Sequence, residues 1–313
     1  MMDELTMTCA TVPPPARLVL GPMLFNRPPA TLHDLYARIA DETDIDVVHL
    51  GEVVCAKRMP FIDPHLPAIV DRLRRAGKQV VISTLALVQG ARETALVRDL
   101  TAGDDWLIEA NDMAAIHGLA GRPHVVGPHV NVYNPASLAC LAALGAIRVC
   151  LPAELPMAGI AALAAARGPA AIEVQVFGRA PLAISARCYH ARAHGLHKDG
   201  CRYVCGQDPD GMPVDTVDGQ PFLAVNGLQT LSYGCLELSG WIGDLRAAGV
   251  TAFRLSPHDL DMVALARLYR AVIDGRMTGP EAAAAIRPLL GGMPPINGFL
   301  AGTAGMAWQP RAE

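Results

Sequence analysis

Eight short runs rich in β-branched residues alternate along this chain with helical segments of ten to fifteen residues, and that alternation constrains the fold more than any other feature. The runs are RLVLGP from Arg17, DVVHLG from Asp46, QVVIST from Gln79, DWLIEA from Asp105, HVVGPHV from His124, AIRVCLP from Ala146, AIEVQVFG from Ala171 and TAFRLSP from Thr251. Between them lie TLHDLYARIADE, HLPAIVDRLRRAG, PASLACLAALG and WIGDLRAAG, several ending in the glycine that a left-handed helix cap favours. Parallel strands need crossover helices, so the pattern predicts an α/β fold of the (β/α)8 TIM-barrel type. The regularity breaks once. More than seventy residues separate Phe177 from Thr251, and they predict a long cysteine-bearing insertion between the seventh and eighth strands with one short strand, FLAVNG. The expected organisation is a flexible leader over 1–16 and a single barrel domain over 17–313, with a metal-binding loop at 178–235. The run AAAA at 282–285 reads as ordinary helix.

Composition narrows the setting. Half the residues are hydrophobic and 18% are charged, yet no apolar run approaches the roughly 20 residues of a membrane span. The first residues, MMDELTMTCATVPPPAR, lack the basic and apolar regions of a secretory signal, so a cytoplasmic location without a transmembrane segment is expected. A net charge of -4 without a basic run argues against nucleic acid as a partner. In a reducing compartment the eight cysteines are better read as ligands, nucleophiles or core residues than as disulfides.

Chemistry in such barrels sits at the carboxyl ends of the strands. That rule selects Glu52 and Cys55, Thr84, Glu109, Asn111 and Asp112, then His129, Asn131 and Tyr133, Glu154, Arg179, and Ser256 with His258. Glu52 and Glu109 are a candidate acid/base pair. Three further cysteines, Cys188, Cys201 and Cys205, lie in the polar stretch ARCYHARAHGLHKDGCRYVC. On a helical turn, Cys201 and Cys205 would share one face, a spacing suited to two thiolates on one centre. Closed zinc sites and cubane iron–sulfur clusters take four ligands, and Cys55, on the same rim, is the best fourth. The absence of a two-residue zinc knuckle favours iron–sulfur and leaves zinc open. Cys140 and Cys150 read as core cysteines and Cys9 as inert, while Cys235 is ambiguous. His190, His194 and His197 read more readily as solvated loop residues than as metal ligands, with the second role left open. No G-x-S-x-G, Walker or H-E-x-x-H motif occurs.

The segment EVQVFGRAPLAISARC, Glu173 to Cys188, resembles the signature of the collagenase-like peptidase family U32. GEVVCAKR, STLALVQ, IEANDM and VNGLQT are similar to segments of one branch of that family, the branch serving oxygen-independent ubiquinone biosynthesis. The similarity runs from about Leu18 to Ser256 and departs from the wider signature at Pro181, where a first cysteine would stand; the second coincides with Cys188. The resemblance implies a 4Fe-4S cluster on Cys55, Cys188, Cys201 and Cys205. It also implies a heterodimer with a UbiU-like paralogue, a UbiT-like lipid-binding accessory protein, a ubiquinone precursor as substrate and prephenate as oxygen donor. The family name brings a peptidase or hydrolase as the alternative, and a zinc-stabilised binding scaffold is a third reading.

Overall fold

The computed structural model describes residues 15–311. Eight parallel strands close a barrel. They are β1 (Arg17–Leu20), β2 (Val47–Leu50), β3 (Gln79–Ser83), β4 (Leu107–Ala110), β5 (His124–Val126), β6 (Ala146–Leu151) and β7 (Ala171–Ile184), and, after β8 (Met212–Asp215), β9 (Pro221–Asn226) and β10 (Gln229–Glu237), β11 (Ala252–Leu255). Each barrel strand pairs with its sequence neighbour, and β11 closes the ring by pairing with both β1 and β7. Every expected run forms its strand, and the expected helices form at Pro29–Glu42, Leu66–Arg75, Pro135–Ala143 and Ile242–Ala247. The helix Gly279–Ile286 begins with a capping box of Thr278 and Glu281. The leader expected over 1–16 lies almost entirely outside the described residues.

Strand residues alternate between the two faces. The outward set, among them Val48, Leu50, Ile108, Val149, Ile172 and Phe253, is buried beneath the helices in one continuous core. Inside the barrel, Val19, Val47, Val81, Val125 and Ala252 form a small apolar layer of their own. One inward step further along the strands stand His49, Ser83, Glu109, Arg148, Glu173 and Arg254, all buried. The barrel is thus plugged by an apolar layer below and a charged layer above.

The insertion holds more order than one short strand. β7 runs on past the barrel wall and pairs antiparallel with β10, β10 with β9, and β9 with β8. A two-residue strand, β12 (Pro295–Ile296), pairs with β10. The chain leaves the barrel at Gly178, which has φ +105° and where a Cβ would sit 2.7 Å from that of Ser256. This antiparallel extension carries the cysteine segment back over the barrel mouth.

No helix among the described residues is long and apolar enough to cross a membrane.

Candidate functional site

Cys55 sits in the loop after β2, and Glu52 shapes that loop. Its Oε1 accepts the backbone N–H groups of Val54 (2.8 Å) and Cys55 (2.9 Å). The loop is tied to its neighbour by the Ala86 N–H on the Val53 carbonyl (2.9 Å). Beyond Cys55, Lys57 donates to the Lys198 carbonyl (2.5 Å) and to Asp199 (3.0 Å), which fastens the Cys55 loop to the segment just before Cys201.

Cys188 is the N-cap of the short helix Tyr189–Ala193. Its Sγ accepts the Ala191 N–H at 3.4 Å and lies 3.3 Å from the Gly227 carbonyl. Cys205 lies on the 3-10 turn Val204–Gln207, where its sulfur accepts from Asn26 Nδ2 at 3.5 Å and its carbonyl from Asn226 at 2.9 Å. Cys201 and Cys205 do not share a helical turn as expected. Arg202 and Tyr203 between them are left-handed, with φ +49° and +55°, a conformation that costs non-glycine residues energy and is retained where surrounding contacts fix it.

Arg58 lies among these thiols with its side chain 1% exposed. It donates to the Leu24 carbonyl (3.0 Å) and Asn226 Oδ1 (3.2 Å), approaches Glu52 at 3.9 Å, and leaves its buried Nε without a hydrogen-bond partner. Burial opposes its charge, but Glu52 and the thiols of Cys205, Cys55 and Cys188 outweigh that and keep it protonated. Gly227, φ +65° in the tight turn between β9 and β10, permits the approach: a Cβ there would lie 2.4 Å from Arg58 Nη2. Burial raises the thiols of Cys55, Cys188 and Cys205, with Arg58 pulling each of them the other way. All four cysteines are free, and all are at least partly buried.

The donor set suits a thiolate-bound centre. Sulfurs around one tetrahedral zinc would stand roughly 3.8 Å apart, from a Zn–S length near 2.3 Å. Among the described residues no three of these sulfurs lie within 4.8 Å of one another.

The charged barrel layer forms a second, separate network. Arg254 pairs with both Glu109 and Glu173, and Arg148 Nε meets Glu173 at 2.7 Å. Glu109 Oε2 also accepts from Ser83 Oγ (2.7 Å) and Asn111 (3.2 Å), with His49 Nδ1 at 3.3 Å. Burial by itself would raise the Glu109 and Glu173 carboxyls, but Arg254 and its neighbours bring both below the usual range. Glu52 and Glu109 therefore do not act as one acid/base pair, since each is engaged in a network of its own. The sequence signal was present: β2, β4, β6, β7 and β11 each place one residue of this layer, His49, Glu109, Arg148, Glu173 and Arg254, within an apolar run.

At the rim, His129, Asn131, Tyr133 and Glu154 line a cleft of about 260 Å³ together with Ala86, Leu87 and the β7 segment from Pro181 to Ile184. Tyr133 donates to Glu154, and burial together with that carboxylate pushes its phenol up to about 12. Burial lowers His129 to about 4 and lowers His49 as well. A base whose folded-state value is depressed contributes stability above its unfolded value that is lost as pH falls toward the folded one. The melting temperature is accordingly expected to fall between pH about 6.5 and about 4. A flat profile over that window, followed by circular dichroism, would contradict the lowered values of His49 and His129.

Other rim candidates are structural. Asp112 caps the helix Met113–Gly118, and the Thr84 hydroxyl accepts the Asn111 N–H at 3.0 Å. Ser256 contributes to the crowding at Gly178. Arg179 donates to the Asp210 and Ser232 carbonyls, and His258 accepts the Arg179 N–H (2.9 Å) and faces Asp210 (3.2 Å). Cys150 is buried in β6 as expected, but Cys140 is exposed, because its helix turns only Leu138 and Leu141 fully inward. Cys235 is fully buried in β10, where burial raises its thiol to about 12. Cys9 lies outside the described residues. His190 is fully buried rather than solvated.

The model of a family described as peptidase family U32 matches residues 30–292. Among solved structures, the chain is similar to phospho-2-dehydro-3-deoxyheptonate aldolase (DAHP synthase) from Thermotoga maritima, with a TM-score of 0.41 and 9% identity over 90% of this chain and 72% of that one.

Proposed function

The chain belongs to peptidase family U32, and from that premise we propose that it is a UbiV-type iron–sulfur subunit of an oxygen-independent hydroxylase acting on the ubiquinone ring. The observation that carries the reading is the buried Arg58, set among the thiols of Cys55, Cys188 and Cys205, with Glu52 as its formal counter-charge at 3.9 Å. A cationic side chain in that position would offset the negative charge of thiolates bound to an iron–sulfur centre. Cys55, Cys188, Cys201 and Cys205 would hold a 4Fe-4S cluster, whose chemistry is one-electron transfer. The N–H groups of Ala191 and Asn26 would hydrogen-bond the ligating sulfurs of Cys188 and Cys205, and Arg58 would offset their charge, both of which tune a potential. With all four cysteines committed, no iron would be left open to substrate. That favours electron relay, with the ring hydroxylated on a UbiU-like paralogue or at the shared interface, a UbiT-like protein presenting the lipid precursor and prephenate donating oxygen.

The peptidase alternative lacks support from the buried hydroxyl best placed for it. Ser83 lies beside His49 and Glu109, but it donates to the carboxylate and all three are sealed from solvent. Purification under argon, with metal analysis and a visible spectrum, tests the proposal. A brown protein with iron and acid-labile sulfide in equal amounts is expected; a colourless zinc protein would end the redox reading. Peptide cleavage that survived Cys201→Ala would instead favour the hydrolase.

A further inference from the structure

His190, His194 and Asp208 bring one ligand atom each to within 4.8 Å of one another, on the side of the helix Tyr189–Ala193 that faces the end of the Cys205 turn. His190 Nδ1 lies 3.2 Å from the Val225 carbonyl and His194 Nδ1 lies 3.0 Å from the His190 carbonyl. A carbonyl only accepts, so both Nδ1 atoms carry a proton, and Nε2 is the ring nitrogen each histidine can offer to a ligand. The rings are stacked, with centroids 5.2 Å apart and planes within 1°. His190 is fully buried, yet its Nε2 has no hydrogen-bond partner and lies 3.0 Å from Asp208 Oδ2. Two ring nitrogens and a carboxylate therefore converge on one point. A backbone carbonyl on the far ring nitrogen is also the usual support for a metal-bound histidine.

We infer that His190 Nε2, His194 Nε2 and Asp208 form a binding site for a divalent first-row transition ion, of the class of Zn(II), separate from the four-cysteine site. Two imidazoles and one carboxylate suit that class, and the exposure of His194 leaves room for water at a fourth position. The ion would bridge the helix that Cys188 caps to the turn that holds Cys205, stapling two segments of the insertion.

The site is tested with Zn(II) alone, added to chelator-treated, cluster-bearing full-length protein under argon. After desalting, zinc and iron are quantified in the same sample. Wild-type protein is expected to retain about one zinc per chain and to melt at a higher temperature with it. Asp208→Asn and His194→Ala, both at positions with solvent access, should lose that zinc and the thermal gain, binding more than about 100-fold more weakly while keeping iron and native circular dichroism. Wild-type zinc content unchanged in both variants would overturn the inference, as would no retention by the wild type. Zinc lost from Cys55→Ala but kept by Asp208→Asn would also overturn it, placing the ion at the cysteines. If the protein holds no iron but Asp208→Asn still removes one zinc, this site stands and the iron–sulfur proposal fails alone.

Discussion

Cys55→Ala, Cys188→Ala, Cys201→Ala and Cys205→Ala, each purified under argon, are expected to lose most of their iron and visible absorption, while Cys140→Ala and Cys150→Ala keep both. Cys55 is the decisive position, because more than a hundred residues separate it from the other three. Its loop is locked by Glu52 from one side, and by Lys57 on Lys198 and Asp199 from the other, so the loop is fastened to the segment just before Cys201. Losing one of four thiolates would leave an iron open and the cluster prone to disassembly. The controls separate ligation from folding. Cys150 is fully buried in the barrel wall, so its truncation costs packing without touching the site, and Cys140 is exposed. Full iron retention by Cys55→Ala would mean that the fourth ligand lies elsewhere.

Arg254→Met is expected to destabilise the barrel by about 3–5 kcal/mol, the usual cost of removing one partner from a buried charge network. Arg254 answers two carboxylates at once, Glu109 and Glu173, all three being almost completely shielded from water. Without it, Glu173 keeps Arg148 at 2.7 Å, but Glu109 is left with neutral donors and a histidine that burial keeps deprotonated. Glu109 would then be driven to take up a proton, and the folded state would lose the stability that its lowered carboxyl value represents. Urea denaturation followed by circular dichroism measures the change. A loss below about 1 kcal/mol would show that the network contributes little beyond filling space. Replacing Arg254, Glu109 and Glu173 together by apolar residues of similar volume should cost much less, since no unpaired charge is left behind.

Much of the architecture was readable because its causes are local. A β-branched run followed by an amphipathic helix can bury both faces of a parallel strand in few ways, and all eight runs lie in the barrel. The insertion was only half legible. Its length and cysteines stood out, but β8 and β10 did not, because MPVD is too short to show a period and the β10 run QTLSYGCLE mixes polar and apolar residues without strict alternation. The rim list named the right strand ends, yet Asp112, Arg179 and His258 proved to be a cap and two latches, since position along a strand does not say which partner a side chain meets. Arg58 carries no local signal of burial in the sequence, although it is among the largest fully buried side chains of the molecule.

By itself the sequence determined the barrel, the place where its rhythm is broken and the residue types able to bind metal there, since periodicity, turn chemistry and thiol chemistry are properties of neighbours along a chain. Only the tertiary structure decided that Arg58 lies among thiols from two distant segments, that five strands turn an ionisable residue into one sealed layer, and that two histidines and an aspartate meet at one point. Those arrangements depend on strand register, on the bend at Gly178 and on the tight turn at Gly227. Each of these fixes distances between residues far apart in sequence, which no local pattern encodes.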